Sequence, residues 1–136
     1  MALRGIRGAI IVEENTVEAI LSAASQLLEA MLAANPALNP DDIASCFFTV
    51  TPDLTAEYPA KAARQMGWLD VPLICAQEMA VPHGLKRCLR VLIHWNTELS
   101  SAQVEHVYLG QAAQLRPEWE FPRRLPSQVE AERSIG

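Results

Sequence analysis

The sequence has few of the features that mark secreted, membrane-bound or metal-binding proteins. Its three cysteines, Cys46, Cys75 and Cys88, form no CxxC pair, and each lies in an apolar stretch. That arrangement supports neither a disulfide framework nor a zinc site. No apolar run approaches the roughly 20 residues that span a bilayer, and the N-terminus lacks the apolar block of a secretory signal. We therefore expect a cytoplasmic protein without a bound metal or a membrane partner.

Positive charge is also scarce. The chain has 11 Lys and Arg residues against 16 Asp and Glu residues, and its formal net charge of −5 disfavours a nucleic-acid partner. The usual catalytic signatures are missing as well, since there is no nucleophile elbow, phosphate loop, HExxH motif or dinucleotide fingerprint. Most of the cations are arginines, whose planar guanidinium groups suit the recognition of carboxylates. Arginines are therefore the first candidates for a functional site.

What is present is an ordinary globular composition, 50% hydrophobic and 20% charged over 136 residues, which suits one domain. Helical spacing predicts a long helix that Asn15 caps, with Glu18 completing a capping box, and that Pro36 ends. A short helix is expected over residues 60–66. Short apolar runs predict five strands, at residues 3–14, 44–50, 72–77, 85–96 and 104–115.

These elements predict the fold class α/β (α+β), a single domain whose mixed sheet carries helices on one face. We expect the domain to cover residues 1–116, with residues 117–136 as a C-terminal tail. Strands that are apolar on both faces, as in residues 46–48 and 91–93, would leave an apolar sheet surface uncovered. The sequence therefore predicts self-association.

Several cations stand where a charge is unexpected. Arg7 interrupts the first strand between Gly5 and Gly8, whose missing side chains would let a ligand or another backbone come close. Arg90 interrupts an otherwise apolar strand, and Lys61 and Arg64 share one face near the start of the short helix. Arg90, like the pair Lys61 and Arg64, has a plainer alternative as a solvated surface cation. The three histidines lack metal-ligand spacing, and we assign them no role.

Five sequence blocks together carry a resemblance to a known family. They run collinearly from residue 4 to about residue 117. The chain resembles the monofunctional AroH-class chorismate mutases in RGIRGA at 4–9, TPDLTAEYPAKAAR at 51–64, ICAQEM at 74–79, GLKRCLRVL at 84–92 and HVYLGQAAQLRP at 106–117.

The resemblance implies an isomerase that converts chorismate to prephenate in the shikimate route to phenylalanine and tyrosine. It further implies a homotrimer with a pseudo-α/β-barrel form, active sites between neighbouring subunits, and no cofactor. The rearrangement is an intramolecular [3,3] shift, so it needs neither a nucleophile nor a proton transfer. The enzyme has to hold a flexible dianion in its reactive shape and stabilise the negative charge that grows on the ether oxygen.

The resemblance also implies residue roles. As catalytic residues, Arg90 would donate to the ether oxygen, Arg7 would hold a carboxylate with Tyr108, and Glu78 and Cys75 would meet the ring hydroxyl. The implied substrate-binding set is Arg7, Tyr58, Ala60, Lys61, Arg64, Leu73, Ile74, Cys75, Ala76, Gln77, Glu78, Arg90, Tyr108, Leu115 and Arg116. Two positions depart from the family pattern: Tyr58 stands where Phe is frequent, and Ile74 where Thr is expected.

Two other functions fit parts of the pattern. One is a reactive-enamine deaminase of similar trimeric architecture, and the other is a non-catalytic sensor that binds an anionic metabolite in the same cleft. In the tail, Trp119 and Phe121 are expected either to form a mobile cap over the cleft or to pack on the trimer.

Overall fold

Five strands and two helices form residues 2–122, which are the residues that this computed structural model describes. Three short 3-10 turns, at Pro40–Asp42, Gly110–Gln114 and Pro117–Trp119, complete the path. The main elements are β1 (Leu3–Ile11), α1 (Val17–Ala34), β2 (Ile43–Val50), α2 (Ala60–Gln65), β3 (Leu73–Gln77), β4 (Cys88–Asn96) and β5 (Val107–Tyr108).

The strands of residues 2–122 form one five-stranded sheet in the order β3-β2-β4-β1-β5. β4 runs antiparallel to both of its neighbours, whereas the two outer pairs, β2 with β3 and β1 with β5, are parallel. Alternate residues of β4, from Leu89 to Trp95, are buried beneath the helices, while those between them are half-buried on the other face. The predicted mixed sheet with helices on one face is confirmed.

Helix α1 lies on the sheet through one apolar stripe, which includes Ile20, Leu27 and Met31. Its N-cap differs from the expectation, because Thr16 rather than Asn15 caps it and accepts a hydrogen bond from the Ala19 amide at 3.2 Å. The side-chain oxygen of Asn15 instead accepts hydrogen bonds from the amides of residues 55 and 56. Asn15 thus fixes the loop that leads into α2.

By length and composition alone, α1 would also be long and apolar enough to cross a membrane. Core helices of globular proteins pass the same test, and here the apolar stripe is packed against the sheet. The opposite face carries polar groups such as Ser22, Gln26 and Glu29. The packing is therefore that of a core helix.

Gly8 has a different role from the one expected. A Cβ at Gly8 would lie 2.7 Å from Met31 Sδ and 3.1 Å from Leu27 Cδ1, both on α1. The space that this glycine leaves open is therefore filled by the helix and not by a ligand. Gly5 lies on the opposite face, where its Cβ would meet Leu92 at an ordinary 3.5 Å.

Three of the predicted strands are clearly shorter than expected, and the first of them, predicted at 3–14, ends at Ile11. The predicted strand at 85–96 begins only at Cys88, because Arg87 adopts a positive φ of 49° and turns the chain. The predicted strand at 104–115 is reduced to Val107–Tyr108, because Gly110 has a φ of 54° and the chain continues as a 3-10 turn. Tyr108 is thereby left at an end of the sheet, and residues 119–121 return alongside it.

On the face of the sheet opposite the helices, residues 112–119 cover Ala9 and Tyr108 at one edge, and the rest of this face has no covering layer within residues 2–122. Three large apolar residues on this open face are exposed: Leu3 (54%), Phe47 (40%) and Ile74 (55%). An apolar surface of this kind is typical of a protein that associates.

Candidate active site

Arg7 and Arg90 lie on neighbouring strands and point to the open face of the sheet. In the antiparallel pairing of β1 with β4, Arg7 stands opposite Leu92 and Arg90 stands opposite Ala9. The two arginines are therefore diagonal neighbours on one face, close enough for their long side chains to reach a common ligand. The strands turn both guanidinium groups away from the helices, where an apolar core would not accept them.

Tyr108 joins these arginines from β5. Its ring is fully buried, and its hydroxyl oxygen accepts a hydrogen bond of 2.8 Å from Arg7 Nη2. Burial raises the pKa of Tyr108, and the positive charges of Arg7, Arg90 and Arg116 oppose that rise. The charges of all three guanidinium groups therefore act on the Tyr108 phenol. We call Arg7, Arg90 and Arg116 the arginine cluster.

Glu78 supplies the carboxylate of the site. It directly follows β3, and its Oε2 accepts a hydrogen bond of 3.0 Å from the Thr49 hydroxyl and lies 3.7 Å from Arg90 Nε. That nitrogen is buried, and no residue within 2–122 accepts a hydrogen bond from it. Arg7, Thr49, Glu78 and Arg90 line a cleft of about 310 Å³ together with apolar residues of β2 and β4.

Arg116 reaches the cluster from the segment that follows Leu115. Its guanidinium carbon lies 3.6 Å from the centre of the Trp119 indole, and its Nε pairs with Glu118. The indole stands edge-on to Tyr108 at 5.6 Å between ring centroids. Leu115 packs beside Tyr108, so the end of the described chain closes one side of the cluster.

A second group of expected site residues lies at the β3 edge of the sheet. Tyr58 is 68% exposed there, and Lys61 pairs with Glu57 at 3.3 Å on the outer face of α2. Burial raises the pKa of the Cys75 thiol, opposed by a hydrogen bond from the Ala60 amide and by the charge of Arg64. We call Tyr58, Ala60, Lys61, Arg64 and Cys75 the α2 wall. A cleft of about 440 Å³ opens beside this wall and is lined by Tyr58, Cys75, Ala76 and Gln77.

The strand β3 separates the two groups, because its side chains alternate between faces. Leu73 and Cys75 point towards the helices and pack on the core, whereas Ile74, Ala76 and Glu78 share the open face. Within one chain, Cys75 and Glu78 therefore do not face the same space. The structure brings together Arg7, Glu78, Arg90, Tyr108 and Arg116, and it places the α2 wall elsewhere.

The thiols show no sign of activation. Burial raises the pKa of Cys46 to about 12 and also raises the pKa of Cys88. A thiol that stays protonated is a poor nucleophile. Among the described residues, no three His, Cys, Asp or Glu side chains are grouped so as to hold a metal ion.

A family model matches this architecture and these residues over most of the chain. The model is that of chorismate mutase type I, and it matches residues 3–119. The chain belongs to the chorismate mutase type I family.

Individual members of the chorismate mutase family are also similar to this chain. The chain is 52% identical over 118 residues to the chorismate mutase AroH of Thermus thermophilus, covering 87% of this chain and 97% of that protein. It is 45% identical over 119 residues to the chorismate mutase AroH of Bacillus subtilis strain 168, covering 87% and 93% respectively. The solved chorismate mutase of Clostridium thermocellum superposes with a TM-score of 0.79 at 44% identity, covering 82% of this chain and 98% of that one.

The predicted family, fold class and isomerase class are thereby confirmed for this member of the chorismate mutases. Two residues of its site, Thr49 and His106, escaped the sequence analysis, whereas Trp119, which was expected as a cap or in trimer packing, packs on His106 and Tyr108. Thr49 could have been found from its alternation with the buried Phe48, which puts it on the face of Arg90. The stacking of His106 on Trp119 joins residues 13 positions apart through a turn that the sequence does not reveal.

Proposed function

We propose that this chain converts chorismate to prephenate in a cleft that two neighbouring copies complete. The observation that carries the proposal is the buried Nε of Arg90, a charged donor with no acceptor within residues 2–122, beside Glu78 and Arg7. A buried donor of this kind is a fitting partner for an acceptor atom that arrives with a ligand.

The proposed chemistry needs electrostatic stabilisation and no proton transfer. As the C–O bond of chorismate breaks, negative charge grows on the ether oxygen, and a preorganised guanidinium stabilises that charge. Arg90 is assigned this role, with Glu78 holding its side chain through charge. The raised thiol pKa values and the absence of a nucleophile motif agree with a reaction that forms no covalent intermediate.

The remaining cations suit the two carboxylates of the substrate. Arg7, already bound to the Tyr108 hydroxyl, is assigned the side-chain carboxylate, and Arg116, whose charge also acts on Tyr108, is assigned to the mouth of the site. A net acidic chain that gathers three arginines around one phenol is well suited to a dianion. Holding both carboxylates would keep the flexible substrate in its compact, reactive shape.

Two copies are needed because the α2 wall and the arginine cluster lie towards opposite edges of the sheet. The wall adjoins β3 at one edge, and Arg7 lies on β1, three strand spacings or roughly 14 Å away. If the wall of one copy meets the cluster of the next, the contact is head-to-tail, and such contacts form a ring when the rotation between copies closes. We propose a homotrimer whose three sheets form the pseudo-barrel, with the exposed Phe47 and Ile74 covered on assembly.

The proposal also covers the cellular location of the enzyme and the division of the chain into a domain and a tail. We place the enzyme in the cytoplasm, in the synthesis of phenylalanine and tyrosine, with chorismate as its ligand and without nucleic-acid or membrane partners. We assign residues 1–116 to the catalytic domain and residues 117–136 to the tail. Most of the expected cap, residues 123–136, lies outside the described residues.

One assay tests the proposal against both alternatives. Loss of the chorismate diene absorbance, with prephenate as product, is the expected result. An enamine deaminase would release ammonia from an imine substrate and leave chorismate unchanged. A sensor would bind chorismate, measurable by calorimetry, without consuming it. Either of these last outcomes would overturn the proposed activity.

A further inference from the structure

The indole of Trp119 lies among several charged and aromatic side chains. Its ring centroid lies 4.0 Å from that of His106 and 5.6 Å from that of Tyr108. The guanidinium carbon of Arg116 lies 3.6 Å from the indole centroid, and that of Arg7 lies 6.0 Å away. One half-buried ring thus adjoins three residues of the proposed substrate site.

We propose that Trp119 is a positioning residue, which fixes the guanidinium of Arg116 in the substrate site without touching the substrate. The inference rests on the proposed function, since it takes Arg116 as a ligand of the substrate. Arg7 and Arg116 carry like charges on two sides of one small site. The negative face of the indole attracts a guanidinium, and stacking also fixes the plane in which its N–H donors point.

The other partner of Arg116 is a weaker support. Glu118 pairs with Arg116, but the two side chains are 54% and 43% exposed respectively, and solvent-exposed ion pairs contribute little to holding a side chain. The indole, by contrast, is half-buried and is held in turn by its packing on His106 and Tyr108. Trp119 is therefore the partner that decides where Arg116 points.

His106 gives the indole a fixed base. Its Nδ1 accepts a hydrogen bond of 2.9 Å from the Arg7 amide, which sets the orientation of the imidazole. Burial, together with Arg7 and Arg116, lowers the pKa of His106, while Glu105 opposes this shift. A neutral imidazole under the indole adds no third positive charge beside the two arginines.

The expected kinetic effect is on KM and not on kcat. Arg116 would bind a carboxylate whose charge is the same in the substrate and in the transition state. Misplacing Arg116 therefore weakens the binding of the substrate and of the transition state equally. We expect Trp119→Ala to raise KM for chorismate about tenfold, with kcat within about twofold of wild type. Trp119→Phe keeps an aromatic face and should recover most of the affinity. Trp119→Leu keeps apolar bulk alone and should resemble Trp119→Ala.

A double-mutant cycle decides whether Trp119 acts through Arg116. In an Arg116→Ala background, Trp119→Ala should raise KM no further, because the side chain that it orients is gone. Phe121→Leu is the matched control: this neighbouring aromatic packs on the core, and its loss should leave both constants unchanged. Thermal melts of all variants establish that each is folded. If Trp119→Ala unfolds, Trp119→Phe and Trp119→Leu still test the inference.

Two results would overturn the inference while leaving the proposed activity intact. One is a Trp119→Leu enzyme with the KM of wild type, which would make the role one of packing. The other is a full tenfold effect of Trp119→Ala in the Arg116→Ala background. An inactive wild-type chain would instead overturn the proposed function, and the inference with it.

Discussion

The carboxylate Oε2 of Glu78 lies 3.7 Å from Arg90 Nε, near enough to hold the guanidinium by charge yet too far to take up its N–H donor. That nitrogen is buried and finds no hydrogen-bond acceptor in residues 2–122. Leaving a buried donor unsatisfied costs about 1–3 kcal/mol. Under the proposed function, the ether oxygen of chorismate accepts a hydrogen bond from Arg90 Nε. This interaction strengthens as the C–O bond breaks, so it offsets the free-energy cost of the unsatisfied donor.

Arg90→Ala should therefore lose more activity than the removal of an ordinary neutral donor. One oxyanion-hole donor is typically worth about 2.7–4 kcal/mol, or 10²–10³ in kcat, and here a full charge is removed from a buried position. Arg90→Lys should also be poor, because a point charge cannot reproduce the planar fork. The measurement is kcat at saturating chorismate.

Arg4 provides the control for Arg90. It lies on β1 on the opposite face of the sheet, where its Nε donates to the Leu99 carbonyl. Arg4→Ala should lose stability but keep kcat, since it removes a guanidinium that does not face the cleft. Near-normal turnover by Arg90→Ala at saturating substrate would contradict the assignment.

The division of the site between two faces of the sheet predicts complementation between inactive variants. Arg90→Ala damages the arginine cluster, and Arg64→Ala damages the α2 wall. After dissociation and joint reassembly in equal amounts, about a quarter of all sites should combine two intact halves, which is one site in each mixed trimer. Activity should then exceed that of either variant alone.

A second mixture gives the matched control for this experiment. Arg7 and Arg90 belong to the same half of the site, so reassembly of Arg7→Ala with Arg90→Ala should restore nothing. Equal recovery in both mixtures would show that reassembly itself raises activity. No recovery in the first mixture, with mixed rings demonstrated by mass spectrometry, would contradict a site shared between copies.

The fold was largely predictable because its signals are local. Five apolar runs, the helical spacing of α1 and the helix-ending Pro36 all follow from neighbouring residues, and α1, α2, β2 and β3 were predicted to within two residues of their observed bounds. The errors arose where a backbone turn overrides an apolar pattern. Arg87 and Gly110, both with positive φ, shortened strands that composition alone would have continued.

The sequence was sufficient to predict which residues form the site, but not how they are placed relative to one another. The resemblance supplied Arg7, Glu78, Arg90 and Tyr108, and the structure places these four together. That Cys75 faces away from Glu78 follows from strand alternation, but only once the residues of β3 are known to be extended without a bulge. The partnership of Trp119 with Arg116 depends on a 3-10 turn at Pro117–Trp119, which the three prolines after residue 116 concealed.

The burial of His106 predicts a pH dependence of stability. Its pKa is lowered in the folded state by burial and by the nearby arginines, so the unfolded chain binds a proton at higher pH than the folded chain. Above about pH 6.5 both states are neutral and there is no effect. As the pH falls through that value, protonation of the unfolded state should lower the free energy of unfolding.

His106→Asn isolates this contribution. An Asn side chain can still accept the Arg7 amide hydrogen bond, but it does not titrate. Denaturant unfolding from pH 8 to pH 5 should show the wild type losing stability relative to the variant below about pH 6.5. Parallel curves for the two proteins would contradict a lowered pKa at His106.

The packing of α1 on β1 predicts that Gly8 cannot be enlarged. The Cβ of an alanine there would come within 2.7 Å of Met31 Sδ and 3.1 Å of Leu27 Cδ1, both buried in the core. Overpacking of this kind typically costs about 1–3 kcal/mol. Gly5→Ala, whose Cβ would meet Leu92 at 3.5 Å, should be tolerated. Denaturant unfolding of both variants at equal protein concentration measures the difference, and equal stability would mean that α1 can shift away from the strand to admit a methyl group.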